Sequence, residues 1–89
     1  MLYYNQKEKG DKIMPTATFK EVRNALKTMP TYEPQTHMGL LWWVKDFYNG
    51  DRFVNIETIH SVLERYTGTM FNTARINGEK MFWRIDKGA

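Results

Sequence analysis

The chain has 89 residues, of which 42% are hydrophobic and 15% aromatic, and its formal net charge is +3. This length suits one domain with a modest core, and the large side chains suffice for folding without a metal or disulfide. The absence of cysteine excludes thiolate zinc sites and cysteine nucleophiles. The longest apolar run, residues 38–44, is far shorter than the roughly 20 residues of a membrane span.

Residues 1–17 are predicted to form an N-terminal arm. The segment opens with Leu2-Tyr3-Tyr4 and continues into a polar run over residues 5–12. Such a segment is either a mobile arm or a short edge strand that docks through its two tyrosines. It lacks the basic flank and long apolar run of a secretory signal, so we expect a cytoplasmic protein.

A first helix is predicted to begin after Thr18, which forms a capping box with Glu21. One apolar stripe follows at helical spacing and consists of Phe19, Val22, Ala25, Leu26 and Met29. The opposite side carries the cations Lys20, Arg23 and Lys27. Pro30 ends the helix because its ring cannot continue the hydrogen-bond ladder, and residues 30–35 are expected to form a stiff surface loop.

The most apolar window of the chain, residues 36–50, predicts a central helix of about three turns. Thr36 is its expected N-cap, and Asn49-Gly50 supplies a left-handed exit. Large apolar side chains occur on every side of the helical wheel between residues 38 and 48. We therefore expect this helix to be buried on most sides, with the neighbouring Trp42 and Trp43 in different packing layers.

A third helix is predicted over residues 56–66, between the N-cap Asn55 and the stop signal Gly68. Its apolar face consists of Ile56, Ile59, Val62, Leu63 and Tyr66. Its exposed face consists of Glu57, His60, Ser61, Glu64 and Arg65. Before this helix, residues 52–54 are long enough for a short strand.

The dipeptide Asn77-Gly78 predicts a C-terminal β-hairpin because both residues tolerate the positive φ of a type I′ turn. Pairing outward from the turn gives one largely apolar face with Met70, Asn72, Ala74, Ile76, Glu79, Met81, Trp83 and Ile85. The reverse face carries Phe71, Thr73, Arg75, Lys80, Phe82 and Arg84, and we expect it to be the outer face. An alternative makes residues 70–76 a short helix that forms a tight helix-turn-helix with residues 56–66.

The element order of helix, loop, helix, short strand, helix and hairpin resembles the winged helix-turn-helix architecture of DNA-binding domains. The resemblance implies an α+β fold of three helices followed by a C-terminal β-hairpin, with residues 18–86 as one winged-helix-like domain and residues 87–89 as a tail. It places residues 56–66 nearest the major groove and residues 75–80 at the wing tip. Two features depart from that pattern: the long connection 49–55 and the carboxylates Glu57 and Glu64.

The leading functional hypothesis is a small regulatory protein that binds nucleic acid, with duplex DNA as the expected partner. Its candidate phosphate-contacting residues are Arg75, Lys80, Arg84, Thr73, Arg65, Lys20, Arg23 and Lys27. The same cations are also consistent with solvated outer faces of the hairpin and first helix. The alternative is a phage-type or accessory protein that docks on a larger protein through exposed aromatic side chains.

Catalysis and metal binding have little support in the sequence. Gly-rich phosphate loops, nucleophile elbows and paired carboxylates are missing from the pattern, so we expect a protein that is not an enzyme. His60 and Glu64 share a helix face, but His37 is the only other histidine and zinc needs at least three ligands. We expect neither a metal nor a cofactor.

Overall fold

The computed structural model describes residues 14–85, and it contains three helices followed by a two-stranded antiparallel sheet. The elements are α1 (Phe19–Leu26), α2 (His37–Phe47), α3 (Ile56–Tyr66), β1 (Phe71–Ile76) and β2 (Glu79–Arg84). The predicted α+β fold is confirmed, and its likeness to a winged helix is one of architecture. None of the helices within residues 14–85 has the length and hydropathy needed to cross a membrane. The predictions for residues 1–13 and 86–89 lie outside the described residues.

The helix starts follow the predicted caps. The Thr18 hydroxyl accepts a hydrogen bond from the Glu21 amide at 3.1 Å, and the Glu21 carboxylate accepts one from the Thr18 amide at 3.0 Å. Thr36 caps α2 through the amide of Gly39 at 3.0 Å, and Asn55 caps α3 through the amide of Glu57 at 2.9 Å. These bonds satisfy amides that have no partner within their own helix, and they fix where each helix begins.

One apolar core lies where the three helices and the base of the hairpin meet. Helix α1 packs against both α2 and α3, and β2 packs against α2. The predicted stripes of α1 and α3 supply most of the core, while β1 and β2 each contribute one phenylalanine. The buried residues are Ala17, Val22, Ala25, Leu26, Met29, Leu40, Val44, Ile59, Val62, Leu63, Phe71 and Phe82.

The expectation that the central helix is buried on most sides is wrong. Only Leu40 and Val44 of α2 are fully buried, whereas Met38 and Trp42 are each 56% exposed and Phe47 is 44% exposed. Helices α1 and α3 and strand β2 supply the contacts of α2, and these few elements do not surround it. A domain of this size has too little chain to cover every side of an apolar helix.

The hairpin has the predicted pairing but the opposite orientation. Ile76 lies opposite Glu79 and Asn72 opposite Trp83, and the turn residues Asn77 and Gly78 have φ values of 53° and 81°. The interpretation of residues 70–76 as a helix is therefore wrong. The face that packs on the helices contains Phe71 and Phe82, which are 1% and 6% exposed. The expected outer face is thus the inner one at the base of the hairpin.

The connection between α1 and α2 runs beside the hairpin. The amide of Tyr32 donates to the Arg84 carbonyl at 2.7 Å, and Gln35 exchanges two hydrogen bonds with Phe82 at 2.7 and 2.8 Å. The expected short strand at residues 52–54 is not formed, and these residues contain only a single bridge at Phe53. Phe53 forms an isolated parallel bridge with Thr16, which brings residues 15–17 against the turn before α3.

Candidate functional site

The eight candidate phosphate-contacting residues fall into two groups on different elements. One group lies on the two packed helices α1 and α3 and consists of Lys20, Arg23, Lys27 and Arg65. The other lies on the hairpin, which contacts α2, and consists of Thr73, Arg75, Lys80 and Arg84. The two groups differ in how far their polar atoms are already used by the fold.

The first group forms what we call the α1–α3 basic face, defined by Lys20, Arg23, Lys27 and Arg65. Lys20, Arg23 and Lys27 follow one another at intervals of three and four residues, which places them on one side of α1. Arg23 reaches across to α3, where its Nη1 donates to the Tyr66 hydroxyl at 3.2 Å. Lys20, Lys27 and Arg65 are exposed to solvent.

The cations of this face act on the Tyr66 hydroxyl. The hydrogen bond from Arg23 lowers the pKa of this hydroxyl, burial opposes that effect, and the positive charges of Arg23, Arg65 and Lys27 lower the pKa further. Each of the three cations favours the phenolate form of the hydroxyl. The Tyr66 hydroxyl therefore lies in a positive electrostatic environment.

Carboxylates do little to neutralise this face. Among residues 14–85, the single ion pair joins Arg52 to Glu21 at 3.4 Å. Lys20, Lys27 and Arg65 therefore have no ion-pair partner among the described residues. The Nε atom of Arg23 is buried without a hydrogen-bond acceptor, so its guanidinium is held in place by packing and by the bond to Tyr66.

Two residues of the hairpin group use their polar atoms in hydrogen bonds within the protein. Arg84 is half-buried, and its Nη1 donates to the carbonyl of Met29 at 2.7 Å. The hydroxyl of Thr73 donates to the carbonyl of Met81 at 2.8 Å. Both residues lie on the face that packs on the helices, which is opposite to the expected outward orientation.

Arg75 and Lys80 are the exposed members of the hairpin group. They lie directly opposite each other near the turn. Arg75 donates to the Gly78 carbonyl at 2.7 Å, and Nζ of Lys80 is 5.7 Å from the centroid of the Phe82 ring. The sequence predicts three cations on the outer face of the hairpin, but only Arg75 and Lys80 are exposed. The positive surface of the hairpin is therefore smaller than predicted.

The two histidines meet in a cavity that the sequence did not reveal. The ring centroids of His37 and His60 are 4.4 Å apart, and His37 also packs against Phe82 at 4.6 Å. The residues are 23 positions apart, so only the packing of α2 against α3 brings them together. Within the described part of the chain, no group of three His, Cys, Asp or Glu side chains is placed to hold a metal ion.

An exposed apolar strip lies on the outer side of α2. Met38 and Trp42 are one helical turn apart and each is 56% exposed, and Nζ of Lys45 is 5.0 Å from the Trp42 ring centroid. Trp43 has the opposite environment, since its Nε1 donates to the Ala25 carbonyl and to the Thr28 hydroxyl. The two tryptophans have different environments, as expected, but Trp42 faces solvent and not a second packing layer. Tyr3 and Tyr4, the other candidate anchors, lie outside the described residues.

Comparison with known proteins gives no match to a protein-family model, to a curated protein or to a solved structure.

Proposed function

We propose that this protein is a small nucleic-acid-binding regulatory protein whose phosphate contacts come from the α1–α3 basic face. The observation that carries the proposal is that Lys20, Lys27 and Arg65 are exposed on the two helices that the Arg23–Tyr66 hydrogen bond joins, without an ion-pair partner among the described residues. Clustered cations without local counter-ions attract polyanions and release the counter-ions of nucleic acid on binding. The proposal places the protein in the cytoplasm.

The dimensions of the basic face suit a nucleic-acid strand. Lys20 lies in the first turn of α1 and Lys27 is its C-cap, seven residues later, which corresponds to about 10 Å along the helix axis. Successive phosphates of one DNA strand advance by roughly 3.4 Å along the duplex axis, so the face extends over about three nucleotide steps. Contacts of this kind position a protein on the backbone and carry no direct sequence information.

The hairpin has a secondary role in this proposal. Arg75 and Lys80 are exposed at the hairpin tip and can approach a phosphate, although Arg75 also bonds the Gly78 carbonyl, whereas Arg84 and Thr73 are partly buried and bonded within the fold. The exposed side of α3 carries Glu57 and Glu64, which repel phosphates. We therefore expect backbone binding with weak sequence preference rather than insertion of α3 into the major groove.

The proposal is tested by fluorescence anisotropy of a labelled random duplex, titrated with the protein at several salt concentrations. The variant Lys20→Ala/Lys27→Ala/Arg65→Ala removes three exposed cations from the basic face. The matched control Lys45→Ala/Arg75→Ala/Lys80→Ala removes three cations from elsewhere, so both variants have the same net charge. We expect the first variant to bind most weakly. The slope of its log affinity against log salt concentration should also be shallower than that of the wild type, by the equivalent of roughly three phosphate contacts.

Two results would contradict the proposal. If the wild-type protein does not bind the duplex at low salt, the proposal of nucleic-acid binding is wrong. Equal losses in the two variants would show that the α1–α3 basic face contributes no more to binding than cations elsewhere on the protein.

The exposed strip on α2 supports a second candidate function, docking on a larger protein. Met38 and Trp42 form an i, i+4 pair, which is the spacing by which a helix places apolar anchors in a groove. The variant Met38→Ala/Trp42→Ala tests this candidate in a pull-down from cells that produce the protein. A partner that the wild type retains and this variant loses supports docking, whereas equal retention by both excludes this strip.

A further inference from the structure

A small cavity lies at the junction of α2, α3 and the hairpin, on different residues from the α1–α3 basic face. Its volume is about 140 Å³, which is many times the roughly 15 Å³ that one water molecule needs. We call it the histidine cavity, and its lining residues are His37, His60, Leu63, Glu64, Thr67, Thr73, Lys80 and Phe82. His60, Glu64 and Lys80 are exposed, so the cavity is accessible from solvent.

The basic groups of this cavity make ring contacts, but the polar atoms of its charged groups are not used in hydrogen bonds or ion pairs among the described residues. The side chains of His37, His60, Lys80 and Glu64 form no hydrogen bond or ion pair with another residue of the described part of the chain. The two threonine hydroxyls are committed, because Thr67 donates to the Leu63 carbonyl and Thr73 to the Met81 carbonyl. Three potential cations from three elements therefore line one space with their polar atoms unpaired.

We propose that the histidine cavity binds a small oxyanion, a phosphate or a carboxylate, between Lys80 and the protonated forms of His37 and His60. The ammonium of Lys80 and the two imidazolium groups are donors that form charge-assisted hydrogen bonds to such an anion. Glu64 on α3 opposes the anion, and Glu79 on β2 also acts on His37. Binding of the anion therefore depends on protonation of the His37 imidazole.

The environment of His37 gives this site its pH dependence. Burial lowers the pKa of the His37 imidazole, and the positive charges of His60 and Lys80 lower it further, while Glu79 raises it. An anion in the cavity offsets those positive charges and favours the imidazolium. Affinity for the anion should thus increase as the pH falls below the ordinary histidine value of 6.5.

A metal ion fits this cavity less well than an anion. Its lining supplies two histidines and one carboxylate, and the described residues contain no group of three such side chains placed as ligands. The ammonium of Lys80 on the same lining repels a cation. The unpaired donors therefore select a negatively charged occupant.

The test is an NMR titration of the full-length protein with sodium phosphate, and separately with sodium acetate, at about pH 5.5 and 7.5 and constant ionic strength. The histidine side-chain signals report on the cavity directly. We expect one of the two anions to shift both His37 and His60 and to raise the pKa of His37. Acetate is mainly ionised at both pH values, so its binding should be tighter at the lower pH, by up to about a factor of 10 per pH unit for each proton taken up.

Two variants separate this site from the α1–α3 basic face. Lys80→Ala changes an exposed residue of the cavity and should abolish the histidine shifts. Lys27→Ala/Arg65→Ala weakens the basic face and should leave the shifts intact. The inference is overturned if neither anion moves the histidine signals at the lower pH. Loss of the shifts in the second variant and their retention in Lys80→Ala would overturn it as well.

Discussion

Trp43 anchors α2 to the end of α1. Its indole N–H lies 3.1 Å from the Ala25 carbonyl and 3.0 Å from the Thr28 hydroxyl, and its ring packs against the core. Trp42, the preceding residue, is 56% exposed and contacts Lys45. Adjacent residues on a helix point about 100° apart, so one tryptophan faces the protein and its neighbour faces solvent.

This difference makes the two tryptophans a matched pair for measuring stability. Trp43→Ala should lower the free energy of unfolding by about 3 kcal/mol, because it removes packing and leaves the Ala25 carbonyl without this donor. Trp42→Ala should change it by less than about 0.5 kcal/mol. Urea denaturation of both variants provides the measurement. A loss for Trp42→Ala as large as that for Trp43→Ala would contradict the assigned environments.

His37 should make the stability of the fold depend on pH. Its pKa is lower in the folded protein than the ordinary value of 6.5, so the unfolded chain binds more protons below that pH. The stabilising effect of neutral His37 is complete above pH 6.5 and is lost as the pH falls through the folded-state pKa. We expect His37→Gln to show a smaller loss of stability than the wild type between about pH 7.5 and 5.5. Denaturation in a buffer free of phosphate measures this, and identical slopes for the two proteins would contradict it.

At the scale of elements, the hairpin is attached to the helices through its base. Phe71 and Phe82 fill the core, and the connection 31–35 pairs with β2. Arg84 adds a side-chain bond to the Met29 carbonyl just after α1. The tip of the hairpin, by contrast, is exposed along residues 74–80. The hairpin is therefore packed on the helices at its base, and its tip is exposed to solvent.

The attachment through Arg84 can be measured by substitution. Arg84→Met keeps the length of the side chain but leaves the Met29 carbonyl without this donor, so we expect a loss of about 1–3 kcal/mol in unfolding free energy. Arg75→Met is the control, because its bond to Gly78 lies at the exposed tip and should matter little. If thermal denaturation shows no loss for Arg84→Met, the anchoring role assigned to this residue is wrong.

Local signals explain which elements the sequence predicted. The capping box at Thr18, the apolar stripes of α1 and α3 and the Asn77-Gly78 turn each act within a few residues, so they can be recognised before the chain is folded. The orientation of the hairpin depends instead on which side chains reach the helices. The face that is less apolar in sequence carries Phe71 and Phe82 near the base, and these two side chains are the ones buried against the helices. How much of α2 is buried likewise depends on how the other elements pack around it, which no local signal specifies.

The candidate sites also differ in how far local signals predict them. The cations of α1 lie on one side of a single helix, and helical spacing reveals them directly. Their approach to Arg65 requires the packing of α1 against α3, which no local pattern specifies. The contact between His37 and His60 likewise requires two helices to pack, so the histidine cavity was missed.

At the scale of the whole molecule, one positive side chain has a carboxylate partner and others have none among the described residues. Glu21 is held by the Thr18 amide and by Arg52, which lower the pKa of its carboxyl and engage one acidic group of α1. Lys20, Lys27 and Arg65 are exposed and have no ion-pair partner among residues 14–85. A modest net charge of +3 thus includes one local concentration of cations. This distribution matters more for binding a polyanion than the net charge itself.

The most direct test of this account is chemical-shift mapping of the isotopically labelled protein with a short random DNA duplex at low salt. We expect the largest amide and side-chain changes along α1, from Lys20 to Lys27, and at Arg65 and Tyr66 at the end of α3. Smaller changes should appear at Arg75 and Lys80. Changes confined to the hairpin tip or to the exposed side of α2, or no changes at all, would contradict nucleic-acid binding through the α1–α3 basic face.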